Sequence, residues 1–175
     1  MISSLSISFE GKTITIHDVY NNEIDGVYAD RYFQENDGRI CYLEMREDGR
    51  KIWAKTFSTD ILEAATCVCI YSPMRKQILL GYGLKVYALD EYTGKLEWLI
   101  EVETPVHAIF LDDFDNIFIQ NEISIVKLGS NGNKQWEYSH YDIISQVILN
   151  TTELLISDIT QAEYRIDIAE GKLLS

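Results

Sequence analysis

One spacing recurs four times along this chain of 175 residues. In each case an apolar residue is followed seven places later by Gly, and four places after that Gly stands Trp or the last residue of the chain. The four sets are Tyr42-Gly49-Trp53, Tyr87-Gly94-Trp98, Ile125-Gly132-Trp136 and Tyr164-Gly171-Ser175. Successive glycines are 45, 38 and 39 residues apart, which indicates four copies of one structural unit.

The second unit shows what each copy contains. Its β-rich runs at 67–71, 77–81, 84–90 and 95–102 are short and are separated by polar turns, a pattern typical of a four-stranded antiparallel meander. Neither face of these runs is strongly polar, as expected for sheets that stack on one another. The Gly after each third run suits a tight turn, because Gly adopts positive φ at little cost.

We therefore predict an all-β chain of about four four-stranded antiparallel blades. The blades form either a small β-propeller or an open half-propeller arc, and a count of four favours the arc because so few blades close only with steep tilt. We expect a single domain over residues 1–175 with units at about 1–57, 66–103, 104–141 and 142–175.

The first unit is interrupted at residues 20–38 by an insertion rich in acidic and aromatic residues. Loops added to a repeat scaffold commonly form binding surfaces. A solvated excursion, or short helices over 30–34 and 61–66, explains the same composition equally well. If the insertion binds a partner, the residues we expect in the contact are Glu23, Asp25, Asp30, Tyr32 and Asp37.

The charge balance narrows the class of partner. The chain has 28 acidic and 15 basic residues and a formal net charge of -13. Such a surface repels nucleic acid and anionic lipid but attracts a basic protein. An acidic surface that only keeps the protein soluble explains the net charge equally well. We find no signal peptide and no apolar run long enough to span a membrane, and we expect a cytoplasmic protein, monomeric or dimeric.

No catalytic or metal-binding constellation is evident. The three cysteines, Cys41, Cys67 and Cys69, are odd in number and lie in strand-like runs, which favours reduced thiols over disulfides or a zinc site. His17, His107 and His140 are spread over three units. The acidic run Asp112, Asp113, Asp115 lacks the glycine and distal glutamate of a calcium loop and is better interpreted as a hairpin turn. We predict no cofactor and no metal.

The segment 86–98, VYALDEYTGKLEW, resembles the repeat of the pyrroloquinoline-quinone-like β-propeller family. Weaker matches follow at 126–128, 132–136, 164–167 and 171–172, so the resemblance covers about residues 39–175. It implies a propeller fold. Quinone enzymes of that family bind cofactor and calcium on the propeller axis in rings of about eight blades, and with four units no cofactor residue carries over to this chain.

Two classes of function remain. The first is a non-catalytic protein-binding module, specifically an immunity protein that neutralises a bacterial toxin such as a basic nuclease, with contacts from the insertion and from Asp112, Asp113 and Asp115. The alternative is a propeller enzyme or a carbohydrate-binding protein with a site on the blade axis. Aromatic residues at strand ends would line that site: Tyr82, Tyr92, Trp98, Tyr138 and Tyr141.

Overall fold

The computed structural model describes residues 3–20, 30–32, 39–59 and 67–174; residues 3–4, 18–20, 30–32 and 39 are described by their backbone alone. These residues form sixteen strands and no helix. Blade 1 contains β1 (Ser3–Phe9), β2 (Lys12–Tyr20), β3 (Asp30–Tyr32), β4 (Arg39–Glu47) and β5 (Arg50–Thr59). Blade 2 contains β6 (Val68–Ser72), β7 (Gln77–Tyr82), β8 (Lys85–Asp90) and β9 (Leu96–Glu101).

Blade 3 contains β10 (Val106–Leu111), β11 (Ile117–Asn121), β12 (Ser124–Leu128) and β13 (Lys134–Ser139). Blade 4 contains β14 (Ile144–Leu149), β15 (Glu153–Asp158) and β16 (Glu163–Asp167). Strands that follow one another in blades 2 to 4 pair antiparallel, so each of these sheets is a meander. The predicted all-β fold of four antiparallel blades is confirmed.

Two blades depart from the four-stranded pattern. In blade 4, Leu173 makes only an isolated bridge with Ile166, so the truncated last run does not become a full fourth strand. In blade 1, β3 pairs parallel with β5 and extends the sheet to five strands. The alternative of a short helix over 30–34 is wrong at 30–32, because those residues pair with Lys55, Thr56 and Phe57 along β5.

The blades pack face to face through three separate apolar clusters. The first lies between blades 1 and 2 and includes Leu43, Phe57 and Tyr87. The second lies between blades 2 and 3, and the third between blades 3 and 4. Within the described ranges no such cluster joins blade 4 to blade 1, so the sheets form an open arc.

Each contact between blades is completed by a Trp ring on a Gly of the next blade. A Cβ added at Gly94 would lie 2.6 Å from Cδ2 of Trp53, and the same atom of Trp98 or Trp136 would lie 2.7 or 2.5 Å from a Cβ added at Gly132 or Gly171. The three glycines also have φ between 64 and 79°. The recurrent Gly and Trp of the sequence are therefore partners across blade interfaces.

The outer face of blade 1 is polar, and that of blade 4 is mixed. On blade 1, Ser6, Ser8, Thr13 and Thr15 alternate along the strands with the side chains that face blade 2, and Ser6 and Thr15 lie 3.4 Å apart at their hydroxyl oxygens. On blade 4, Arg165 donates to Glu153 at 2.6 Å, but Ile148 of the same face is 43% exposed.

Contacts between blades define the two ends of the arc. At one end, which we call the Asp113 end, Lys76 is paired with Glu10 at 3.0 Å and Ser72 donates to Asp115. At the other, the Tyr141 end, the amide of Val106 donates to the carbonyl of Gly83 at 2.9 Å, and the amide of Ile144 donates to the carbonyl of Glu122 at 2.9 Å.

Candidate functional site

The acidic turn between β10 and β11 divides its three carboxylates between different roles. Asp112 accepts hydrogen bonds from the amides of Phe114 and Asn116 at 2.9 and 2.8 Å and from the Asn116 side chain at 2.7 Å. Its carboxylate therefore satisfies the turn itself, as aspartates at turn starts commonly do.

Asp115 is turned inward. Its side chain accepts a hydrogen bond from Ser72 of blade 2, and the residue is only 4% exposed. Its φ of 63° lies in the left-handed region, which Asp tolerates better than most residues. Asp115 thus holds blade 3 against blade 2 and is not placed to contact a partner, which corrects the prediction that all three aspartates form a binding surface.

Asp113 points into solvent. It is exposed, and the described residues offer it no hydrogen bond or ion pair. Beside it, Phe114 is 73% exposed at the tip of the same turn. Asp113 is consequently the one carboxylate of the predicted set in this turn that remains available to a partner.

A groove of about 320 Å³ lies between this turn and the turn that follows β14. Leu111, Phe114 and Leu149 supply its apolar lining, Asp112 and Asp113 its charge, and Asn150 and Thr151 its other polar groups. No lysine or arginine is among the lining residues. The sequence analysis missed Phe114, Leu149 and Thr151, although an apolar residue at the centre of an acidic turn was a usable signal.

A second cavity, of about 220 Å³, lies between blades 2 and 3 and is lined by the carboxylates of Glu101, Glu103 and Glu137 and by one cation. Its lining includes Lys134, whose ammonium group lies 2.7 Å from Glu137. The hydrogen bond with Lys134 lowers the pKa of Glu137, so this carboxylate is already neutralised by its neighbour. Of the two cavities, only the groove beside Asp113 has no lysine or arginine in its lining.

The predicted contacts in the insertion do not join the Asp113 groove among the described residues. Glu23, Asp25 and Asp37 lie outside the described ranges, and for Asp30 and Tyr32 only the backbone, in β3, is described. The chain leaves the sheet at Tyr20 and re-enters it at Arg39, and these two residues pair with each other. Their pair lies at one end of blade 1, and the turn after β1 lies at the other end. The entry to the insertion and the acidic turn thus lie at opposite ends of the sheets.

A buried polar network occupies the Tyr141 end. Asp158 accepts hydrogen bonds from the Thr160 hydroxyl and from the amides of Thr160 and Ala162. These bonds, led by that of the Thr160 hydroxyl, outweigh the effect of burial and lower the pKa of Asp158 to about 2. His140 lies 3.5 Å from Asp158 and is 6% exposed.

Tyrosines surround this network. The Tyr138 hydroxyl lies 3.2 Å from Nδ1 of His140, and the hydroxyls of Tyr141 and Tyr164 are hydrogen-bonded to each other. The bond with Tyr141, assisted by burial, raises the pKa of Tyr164. Because Asp158 accepts several hydrogen bonds from its own turn and Tyr164 is held protonated, the arrangement orders the ends of blades 3 and 4.

The aromatic residues proposed for an axial pocket do not converge. Tyr82 is 1% exposed and lies in the first apolar cluster, while Tyr138 packs against the third and Trp98 against the second. Tyr92 and Tyr141 are exposed, but they lie at opposite ends of the arc. These five residues therefore line no common site.

In the described part of the chain, no group of three or more His, Cys, Asp and Glu side chains is arranged to hold a metal ion. The same residues include no helix long and apolar enough to cross a membrane.

The fold has solved counterparts. The crystal structure of BamB from Moraxella catarrhalis, a β-propeller protein with pyrroloquinoline-quinone-like repeats, matches with a TM-score of 0.58 and 15% identity over 100% of this chain and 51% of BamB. The computationally designed Ika4 protein matches with a TM-score of 0.56 and 14% identity over 65% of this chain and 72% of Ika4. No family model and no curated protein matches the chain. The chain is thus similar in fold to propeller proteins and spans about half the length of BamB.

Proposed function

We propose that the protein is a non-catalytic binding module for a basic protein, and specifically an immunity protein that neutralises a bacterial toxin in the cytoplasm. The observation that carries this proposal is the groove beside Asp113, which combines an unengaged exposed carboxylate with apolar walls. The toxin is expected to be cationic, and a basic nuclease domain fits this description.

The lining of the groove suits a lysine or arginine side chain. Such side chains bury their aliphatic stem against apolar surface while the charged head stays at a polar rim. Leu111, Leu149 and Phe114 provide that apolar surface, and Asp113 provides the charge-assisted acceptor at the rim. Phe114, which is exposed in the free protein, would supply an aromatic anchor of the kind that dominates binding energy at interfaces.

The whole-chain charge supports the same partner class. A net charge of -13 speeds the encounter with a basic protein at low ionic strength. The described turns and connections at the Tyr141 end contain one lysine or arginine, Lys85, and Glu101 lies 3.8 Å from it. These segments are residues 81–85, 101–107, 120–124, 139–145 and 157–163. Acidic residues of the insertion, whose entry lies at the end of the sheets opposite to the groove, would form a second, separate contact with the partner.

We also propose that the chain is a divergent member of the pyrroloquinoline-quinone-like β-propeller family and that its four blades form a half-propeller. The three Trp-on-Gly contacts and the similarity to BamB support this assignment. We expect a monomer or a dimer, because the outer face of blade 1 is polar whereas that of blade 4 exposes Ile148.

The test uses the toxin domain encoded by the neighbouring open reading frame. We expect nanomolar binding in biolayer interferometry, with an association rate that falls at least tenfold between about 50 and 500 mM salt. Asp113→Asn and Phe114→Ala should each weaken binding about tenfold or more, and both should reduce rescue of cells that express the toxin. Glu163→Gln, an exposed carboxylate at the Tyr141 end, is the matched control and should bind as wild type does.

A second set of variants separates the two surfaces. If Glu23→Gln, Asp25→Asn and Asp37→Asn together abolish binding while Asp113→Asn has no effect, the contact lies in the insertion and the groove is excluded. Absence of binding to the neighbouring gene product, or an affinity indifferent to salt, would contradict the proposed function itself.

A further inference from the structure

Two cysteines from neighbouring blades meet at the interface between blades 1 and 2. Cys41 lies on β4 of blade 1 and is fully buried, whereas Cys67 directly precedes β6 of blade 2 and is partly exposed. Their Sγ atoms are 2.8 Å apart, and 26 positions of sequence separate them. The third cysteine, Cys69, is 6% exposed within the same apolar cluster.

We propose that Cys41 and Cys67 form an oxidation site that closes into an intramolecular disulfide and links blade 1 covalently to blade 2. A disulfide bond is about 2.05 Å long, so the sulfurs need to approach by less than about 1 Å. The sequence favours reduced thiols, and the two descriptions are compatible: the dithiol is the resting form, and the disulfide forms when an oxidant is present.

A hydroperoxide, such as hydrogen peroxide, is the oxidant class we assign to this site. Cys67 is the exposed member of the pair and reacts first: its thiolate attacks a peroxide oxygen, the O–O bond breaks, and a sulfenic acid and water result. The Cys41 sulfur then attacks the Cys67 sulfur, the S–O bond breaks, and a second water leaves with the remaining proton. Two thiols and one peroxide thus yield one disulfide and two waters, and peroxide takes up both electrons.

Cys69 has the opposite environment. Burial raises the pKa of this thiol well above its usual range, which leaves little of the reactive thiolate. Cys69 lies in β6, two residues after Cys67, and in extended chain this spacing places both side chains on one face of the sheet. Cys69 therefore serves as an internal control: it is the same residue type at a nearby position, but its thiol is less reactive.

The link would stabilise the blade interface. It closes a chain segment that contains the connection between blades 1 and 2, and cross-linking such a segment restricts the unfolded chain. For a loop of this length in a protein of this size, we expect oxidation to raise Tm by about 5 to 10 °C.

The experiment treats the purified full chain with equimolar hydrogen peroxide and maps its peptides without reduction. We expect the intact mass to fall by about two hydrogens, a single cross-linked peptide pair containing Cys41 and Cys67, and a Tm rise that dithiothreitol reverses. Cys69→Ser should behave as wild type. Cys67→Ser should lose both the cross-link and the Tm rise, and its reduced Tm, compared with that of Cys69→Ser, shows that it folds.

Three results would overturn the inference. The first is accumulation of sulfinic acid at Cys67 with no cross-link in wild type. The second is a bond to Cys69 or between two chains. The third is a Cys41 to Cys67 bond that leaves Tm unchanged or lowers it. Each of these is read from the wild-type protein and does not depend on how well a variant folds.

Discussion

Trp98 packs its indole on Gly132, yet its Nε1 is buried without a hydrogen-bond partner in the described structure. In the two equivalent contacts, Trp53 donates to the carbonyl of Glu91 at 2.9 Å and Trp136 to that of Ile168 at 3.0 Å. Each of those carbonyls belongs to the residue three places before the Gly. In blade 3 that residue is Gly129.

The turn of blade 3 explains the difference. The amides of Gly94 and Gly171 donate four residues back, to Asp90 and Asp167, which leaves the carbonyl three residues back for the indole. Gly132 instead donates three residues back, to Gly129, at 3.1 Å. The turn thus already uses the acceptor that Trp98 would need.

Replacing each tryptophan by phenylalanine isolates this hydrogen bond. All three variants remove an indole N–H, but only Trp53→Phe and Trp136→Phe break a hydrogen bond and leave a backbone carbonyl without its indole donor. We expect each of these two to cost about 1 kcal/mol more than Trp98→Phe in urea unfolding. Equal costs at the three positions would show that the indole hydrogen bonds add nothing to stability.

Gly94→Ala, compared with Gly49→Ala, separates backbone strain from the Trp contact. Both glycines have positive φ, 64 and 76°, so both substitutions carry a strain of about 1 kcal/mol. Only at Gly94 would the new Cβ collide with an indole, whereas no atom lies within 4 Å of it at Gly49. We expect Gly94→Ala to cost about 2 kcal/mol more, measured by chemical unfolding. A smaller cost at Gly94 than at Gly49 would contradict tight Trp packing.

The blades could be predicted from the sequence because one contact is repeated. At each blade interface a Gly adopts positive φ and accommodates the ring of a Trp from the preceding blade. The Gly and Trp therefore recur at a constant spacing even where the residues around them differ between blades. The parallel pairing of β3 with β5 could not be predicted, since three residues of ordinary composition carry no signal for their partner strand.

The candidate site was predicted only in part. The acidic turn was identified, but sequence could not distinguish Asp113 from Asp112 and Asp115, because their roles depend on which way each side chain leaves a five-residue turn. No sequence pattern indicates that Lys12 and Glu91 are buried together, because their burial depends on how blade 1 packs on blade 2. Both failures concern contacts between distant parts of the chain.

The buried ion pair of Lys12 and Glu91 predicts a large effect of charge removal. Lys12 is 5% exposed and Glu91 is 0% exposed, and Tyr71 also donates to Glu91 at 2.6 Å. Burial alone would raise the pKa of Glu91, but the hydrogen bonds from Lys12 and Tyr71 lower it. The carboxylate is therefore held charged beside its buried cation.

Glu91→Gln leaves the Lys12 charge buried without compensation, and we expect it to cost about 3 to 5 kcal/mol. Glu153→Gln is the control, because its partner Arg165 is exposed, and the expected cost is below about 1 kcal/mol. Urea unfolding of the three proteins at pH 7 measures both. Similar costs for the two variants would show that solvent reaches the Lys12 pair.

The acid stability of the protein should depend on Asp158. Hydrogen bonds, first that of the Thr160 hydroxyl, lower the pKa of Asp158 to about 2 in the fold, below its ordinary value of 3.8. A carboxyl whose folded pKa is depressed contributes stability that is complete above the unfolded pKa and is lost as pH falls through the folded pKa. The stability advantage of wild type over Asp158→Asn should thus shrink between about pH 5 and pH 2. Urea midpoints measured across this range check the trend, with Asp113→Asn as an exposed control that follows wild type. An advantage that stays constant or grows toward low pH would show that the fold does not favour the charged form of Asp158.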